Sequence, residues 1–394
     1  MQGVLKGIRV LDFGRYIAGP YCATLLADMG AEVIRVERLQ GSEDRFLASV
    51  APTGEGGTFL QMARNKLGLT LDPMKPEARE VVRRLVASAD VVVANLPAPT
   101  LVSMGIDYET LRAIKPDIIL THVSAFGADG PYAERVGFDL LGQAMSGMMF
   151  LSGDVDAPIR SQVPFVDFST AAFAAFGTLA ALMERQKSGR GQVVEASLYS
   201  SALALSNNFT IEEGVLELER QPHGNRAFHH APNDVFRTRD GHLITMVVGN
   251  PLFARWAKLV GVPEWIGDPR FDSDQKRGEN GALISQRMAD WCATRTTAQA
   301  IAEMEAARVP AGPVYTPRQT LDDPHTRARG IFKPIDYPGL PRPAPVAEAP
   351  VRLSETPGGI RQRPPTLGEH TAQILAQLGF TPAEVEALRK AEVV

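Results

Sequence analysis

The sequence predicts an α/β protein, with a large first domain built on a helix-covered parallel sheet and a smaller α+β domain after it. Three observations predict this. Up to about residue 200, short β-branched runs alternate with helix-like stretches. From Pro232 onward that alternation gives way to a hairpin signal and then to helical segments. The 394 residues, 44% hydrophobic and 22% charged, are enough for two or three domains with their own cores.

Taken in order, the candidate strands are Ile8–Phe13, Glu32–Glu37, Leu69–Asp72, Asp90–Asn95 and Asp117–Ser124, each followed by a turn signal or a helix-like segment. In such sheets ligands bind outside the carboxyl ends of the strands, so these ends should open on one crevice. A first helix is expected from Gly19-Pro20 to near Gly30, because proline in a first turn loses no hydrogen bond. A second should start after Asp167 and run to Arg185. It is apolar nearly all round and rich in small side chains, which predicts burial with close backbone neighbours.

The alternation lapses around 199–225, and 201–225 reads as a linker. Residues 226–320 read as the small domain, with a hairpin-type turn at Arg237-Thr238-Arg239-Asp240-Gly241-His242 before Leu243–Val248. A second linker is expected at 321–329. Nine prolines in the 32 residues from Pro334 to Pro365 forbid continuous helix or central strand and predict an extended connector. The stretch Gly368–Lys390 returns to an amphipathic helical pattern, with Thr381-Pro382-Ala383-Glu384 as its start signal, and should pack back on a folded domain.

Composition excludes several classes of function. Lys and Arg number 41 against 45 Asp and Glu, a net charge of −4, which offers no basic field for nucleic acid. Cys22 and Cys292 are too few for a disulfide framework or a cysteine zinc site, which fits a reducing cytoplasm. Lys6, Arg9 and Asp12 interrupt any signal-peptide core, and the longest nearly uncharged apolar run, Thr170 to Met183, is shorter than the ~20 residues of a membrane helix. No membrane partner is expected. G-x-x-x-x-G-K-[ST] and G-x-S-x-G do not occur, and the first turn, Gly14-Arg15-Tyr16-Ile17-Ala18-Gly19-Pro20, is not a dinucleotide fingerprint. His229-His230 followed by Asp234 lacks metal-ligand spacing, so no metal is expected.

Asp167, in Val163-Pro164-Phe165-Val166-Asp167-Phe168-Ser169-Thr170, admits two readings. As an N-cap it would only start the helix. As a nucleophile it would use the helix N-terminus, whose positive end should keep the carboxylate ionised and make it a poor general acid.

Further motifs carry a resemblance. Gly7-Ile8-Arg9-Val10-Leu11-Asp12, Ala18-Gly19-Pro20 and Leu26 to Glu37 open the series. It continues through Asn65-Lys66, Ser124-Ala125-Phe126-Gly127, Gly130-Pro131-Tyr132, Phe138-Asp139 and Gly189-Arg190-Gly191-Gln192. Asp268-Pro269-Arg270-Phe271, Val309 to Val314 and Leu367-Gly368-Glu369-His370 complete it. With these the chain resembles the class III CoA-transferases, the family of formyl-CoA and carnitine CoA-transferases, nearly end to end.

The resemblance implies a Rossmann-like large domain formed by 1–200 with 330–394, and an interlocked, ring-shaped homodimer. It implies that Asp167 is the nucleophile, with acyl-CoA and a small carboxylic acid as substrates and coenzyme A as the carrier. It places Tyr16, Ile17 and Ala18 along the CoA near the first turn and Arg38 at its adenine and ribose-phosphate end. Leu71, Asp72, Met74 and Lys75, with Asn95, Leu96 and Pro97, form the opposite wall, and Phe126 and Gly127 join the CoA contacts. Gly249 and Asn250 stand where relatives use a glycine-rich substrate loop, although Val247-Val248-Gly249-Asn250-Pro251 holds a single glycine. The lysine of Met74-Lys75 is shifted by one from the usual position, Ala94 replaces a glutamate and Ser103 a basic residue. Two other readings are α-methylacyl-CoA racemase chemistry, for which Phe138 stands where the histidine would, and a non-catalytic acyl-CoA-binding protein.

Overall fold

The computed structural model describes residues 3–394, and these divide into two compact units. The first comprises residues up to Gly147, Ser161–Val215 and Arg329–Val394; the second comprises Met148–Arg160 and Leu216–Ala328.

Among the described residues of the first unit, β1 (Arg9–Asp12), β2 (Glu32–Glu37), β3 (Lys66–Thr70), β4 (Val91–Ala94), β5 (Ile119–Ser124) and β6 (Val193–Ser197) form one sheet in the order β3-β2-β1-β4-β5-β6. Every neighbouring pair is parallel. The order reverses between β1 and β4, which opens the crevice expected of doubly wound sheets. The runs are apolar because both faces are covered: all of β4 is buried, and Leu11, Val92 and Leu85 belong to one core with Val36 and Leu120.

Two strands differ from the sequence reading. β3 starts at Lys66 rather than Leu69, because the Lys66 ammonium is buried against Asp12 Oδ2 at 2.8 Å and the Pro20 carbonyl at 2.7 Å, a tertiary arrangement that its strand propensity does not reveal. β6 was not foreseen: as an edge strand it is half exposed and carries little apolar signal.

The helix Phe165–Ser188 begins two residues before Asp167, and its Val166, Ala171, Ala174 and Ala181 face the core. It packs on the Ala18–Asp28 helix and on β5 and β6. It is not buried all round, because Phe173, Phe176 and Met183 remain exposed. Among the described residues it is also the one helix long and apolar enough to cross a membrane, being longer than the uncharged run inside it.

Residues 201–225 are not a simple linker, since Leu198–Leu216 is one helix whose scattered apolar residues hide its periodicity. The linker expected at 321–329 likewise contains the helix Pro324–Ala328. Met148–Arg160 leaves the large domain for the second unit, where the Gly153 carbonyl accepts the Gly224 N–H at 3.3 Å. The proline-rich segment folds into a two-stranded antiparallel hairpin, Phe332–Ile335 against Ala344–Ala347, with Pro334 opposite Pro345. Both strands are edges, where the missing proline N–H groups break no ladder. Thr381 starts the Pro382–Lys390 helix with a full capping box, its hydroxyl accepting from the Glu384 N–H.

In the second unit Asn233–Arg237, His242–Met246 and Ala311–Pro313 form an antiparallel sheet beside a core holding Trp256, Phe253 and Trp291.

Candidate active site

The loops leaving β1 to β5 converge on a cavity of about 1420 Å³ in the first unit. At the ~4.8 Å spacing of neighbouring strands, the carboxyl edge from β3 to β5 spans roughly 19 Å. The first loop is the most constrained. Gly14 donates its N–H to Asp12 Oδ1 at 2.9 Å, and a Cβ there would lie 2.6 Å from Pro20 Cδ, so the turn requires glycine. Asn95 then grips Arg15 twice: its Oδ1 accepts the Arg15 N–H at 2.7 Å, and its Nδ2 donates to the Arg15 carbonyl at 2.8 Å. This clamp ties the β1 loop to the β4 loop and holds Tyr16 in a left-handed conformation (φ 59°) that a bulky side chain rarely adopts. The Arg15 guanidinium donates to the Phe13 and Gly14 carbonyls, and burial, with Arg35 nearby, lowers its pKa.

The cavity brings together most of the residues that the sequence singled out. Tyr16, Ile17 and Ala18 line it from the first loop and Arg38 from the second. Asp72, Met74 and Lys75 line it from the third, and Asn95, Leu96 and Pro97 from the fourth. Gly127 and Asp167 complete this set. Leu71 and Phe126 stand apart. Leu71 is fully buried in the core, because its side chain points into the sheet packing rather than the crevice. Phe126 instead packs edge-on against Tyr132 and Tyr199, with ring centroids at 5.5 and 5.9 Å.

Gly249 and Asn250 belong to the second unit. There the Gly249 N–H donates to both Asp274 oxygens, at 2.9 and 3.0 Å, and Asn250 Oδ1 accepts from Arg277 at 2.9 Å. These bonds pin the single-glycine loop at the start of the Asn250–Leu259 helix.

Asp167 is the third residue of its helix, and Pro164 precedes the first turn without a side-chain cap. The N-cap reading of Asp167 does not hold, because another carboxylate does that work. The Asp167 N–H donates to Asp139 Oδ2 at 3.0 Å, while Gln143 Nε2 donates to Asp139 Oδ1. Asp139 is buried at 4% exposure and Asp167 at 9%. Burial first, and the Asp139 charge second, push the Asp167 carboxyl up to about 7. Against the expectation that the helix N-terminus keeps Asp167 ionised, burial and a like charge favour its neutral form. Near neutral pH both forms are populated, so the group can attack as a carboxylate or return as an acid.

Further lining residues include His122 and Arg135, which the sequence did not single out, and Phe138, which it marked only as standing in the racemase histidine's place. Phe138 meets Tyr16 edge to face at 5.4 Å and forms an apolar part of the wall. His122 lines the cavity with Nε2 2.9 Å from the Leu96 carbonyl, and Arg135 lies over the Tyr132 ring at 4.4 Å. The Phe138-Asp139 motif followed by Gln143 one helical turn later was a usable signal for Asp139. His122, inside a strand, gave none. Among the described residues no group of three or more His, Cys, Asp or Glu side chains is arranged to hold a metal ion.

Comparison with known proteins adds three findings. Residues 5–371 match the profile of CoA-transferase family III. The chain is 37% identical over 394 residues to a succinyl-CoA–D-citramalate CoA-transferase of Chloroflexus aurantiacus, covering 99% of this chain and 98% of that one. It is 33% identical to a succinyl-CoA:mesaconate CoA-transferase of Haloarcula hispanica, covering 96% and 97%. Among solved structures, a CAIB/BAIF family protein from Brucella suis superposes with a TM-score of 0.84 at 32% identity, covering 96% of this chain and all of that one.

Proposed function

The chain belongs to CoA-transferase family III and is a CoA-transferase, and from that membership we propose that it moves CoA from succinyl-CoA to a small carboxylic acid through covalent intermediates on Asp167. The observation that carries the mechanism is the placement of Asp167: a nearly buried carboxylate in the cavity wall, with its backbone anchored by Asp139. The lining of the cavity supports acyl-CoA as its ligand. Its wall offers Arg38 and Lys75 to phosphate oxygens, the Tyr16 and Phe138 rings as an apolar surface, and Asp167 as the reacting group.

In the proposed course an ionised Asp167 oxygen attacks the thioester carbonyl, the C–S bond breaks, and CoA leaves as thiolate from a mixed anhydride. The thiolate attacks the aspartyl carbonyl of that anhydride, which releases the donor carboxylate and leaves an aspartyl thioester. The acceptor carboxylate attacks this thioester, expelling thiolate and forming a second anhydride. Thiolate attack on the acceptor's acyl carbon gives the new acyl-CoA and regenerates Asp167. One thioester replaces another, so the exchange is close to isoenergetic. Excluding water from the anhydride is then the main demand on the protein.

The donor and acceptor classes rest on the relatives, whose names specify succinyl-CoA with citramalate or mesaconate. The exposed stripe of Phe173, Phe176 and Met183 supports a homodimer in which a second copy covers this helix face. No observation favours racemase chemistry, since Phe138 offers no proton carrier beside Asp139.

The test is trapping. The protein incubated with succinyl-CoA and hydroxylamine should carry a hydroxamate at Asp167 by peptide mass spectrometry, and Asp167→Asn should abolish both label and transfer. Transfer that persists in Asp167→Asn would sink the mechanism, and a panel of acceptors would fix the specificity.

A further inference from the structure

Two cations line the β2–β3 side of the cavity, and each is already paired with a carboxylate that lines the same cavity. Arg38 Nη1 lies 2.8 Å from Glu43 Oε1, with side-chain exposures of 62% and 51%. Lys75 Nζ donates to the Ala391 carbonyl at 2.7 Å and stands 3.9 Å from Glu392 Oε2.

Glu392 occupies an unusual backbone position. The Pro382–Lys390 helix ends with the Val393 N–H bonded to the Leu388 carbonyl and the Glu392 N–H bonded to that of Arg389, both at 2.9 Å. This double bond pattern places Glu392, at φ 52°, on the left-handed residue where helices of this ending usually carry glycine. The segment is fixed against the cavity because the Asp72 N–H donates to the Val393 carbonyl at 2.8 Å. Exposed ion pairs of this kind add little to folding stability, so a ligand can exchange them readily.

We propose that Glu43 and Glu392 are resident counter-anions of Arg38 and Lys75, displaced when the phosphates of the acyl carrier arrive, and that this exchange makes the cavity discriminate carriers by phosphate charge. The inference rests on the reading of the cavity as an acyl-CoA site and names residues that set its ligand preference. A carrier with too few phosphates leaves both carboxylates in place and meets their repulsion. One with enough phosphate charge takes over both cations and releases the carboxylates to water.

Titration calorimetry at low ionic strength tests this with CoA and dephospho-CoA, which lacks the 3′-phosphate, on the full chain and its Glu43→Gln/Glu392→Gln variant. Both positions are exposed, and thermal melts verify that the variant is folded. The expected result is that the variant binds CoA more tightly by roughly two- to fivefold and gains more for dephospho-CoA, so that the preference for CoA narrows. Unchanged or weaker CoA binding by the variant, or a gain for dephospho-CoA no larger than that for CoA, overturns the proposal while leaving the cavity's assignment intact. Absence of CoA binding by the unsubstituted chain brings down that assignment and this proposal together.

Discussion

The backbone N–H of Asp167 donates to Oδ2 of Asp139 at 3.0 Å, so one buried carboxylate fixes the position of another. The same contact brings together the first turns of two helices, Asp139–Met145 and Phe165–Ser188, each carrying one of the acids. Anchoring and mutual repulsion are therefore inseparable here.

Because burial and Asp139 push Asp167 up to about 7, the attacking carboxylate is lost by protonation as pH falls. The kcat/KM for the acyl-CoA donor should rise with pH and level off, with a midpoint near 7. A profile flat from pH 5 to 8 would contradict this.

Asp139→Asn keeps an acceptor for the Asp167 N–H and removes the neighbouring charge. The midpoint of the same pH profile should move down, while staying above the ordinary carboxylate range because burial is the larger cause. An unchanged midpoint would leave Asp139 with an anchoring role only.

The raised pKa also destabilises the fold when Asp167 ionises. Protonation of Asp167 favours the folded state, and that contribution is lost as pH rises from its ordinary 3.8 through about 7. Asp167→Asn should therefore be more stable than the natural chain at pH 8, by roughly 4 kcal/mol at most, and no more stable near pH 3.5. Urea denaturation at the two pH values checks the sign.

Asn95→Ala removes both hydrogen bonds that clamp Arg15 and releases Tyr16 from its left-handed conformation. Stability should fall by about 1–3 kcal/mol, and the KM for acyl-CoA should rise several-fold. Calorimetric melting and steady-state kinetics measure the two effects.

Asp12→Asn retains an acceptor for the Gly14 N–H but leaves Lys66 and Arg35 without a shared buried anion. Burial already lowers the Lys66 pKa to about 8. The substitution should cost about 3–5 kcal/mol in urea denaturation, as breaking one side of a buried ion pair does.

Light scattering of the natural chain should give twice the chain mass. Phe176→Glu with Met183→Glu places two charges on the exposed stripe and should yield monomer or insoluble protein. An unchanged dimer would show that another face carries the association.

The sequence by itself determined the alternating strands and helices and the glycine turn after β1, and its motifs pointed by resemblance to Asp167. Those features are local: β-branched runs, turn glycines and motif spacing carry them within a few residues. Leu71 and Phe126 sit beside true lining residues in the chain yet point elsewhere, since only packing decides which side of a loop faces a cavity. The start of β3 at Lys66 was hidden because its ammonium is neutralised by Asp12, 54 residues away. The protonation of Asp167 was hidden for the same reason. Its neighbour Asp139 is 28 residues distant in sequence, and burial is a property of the assembled fold. The resemblance singled out Asp167 as the candidate nucleophile; only tertiary contact shifts its charge.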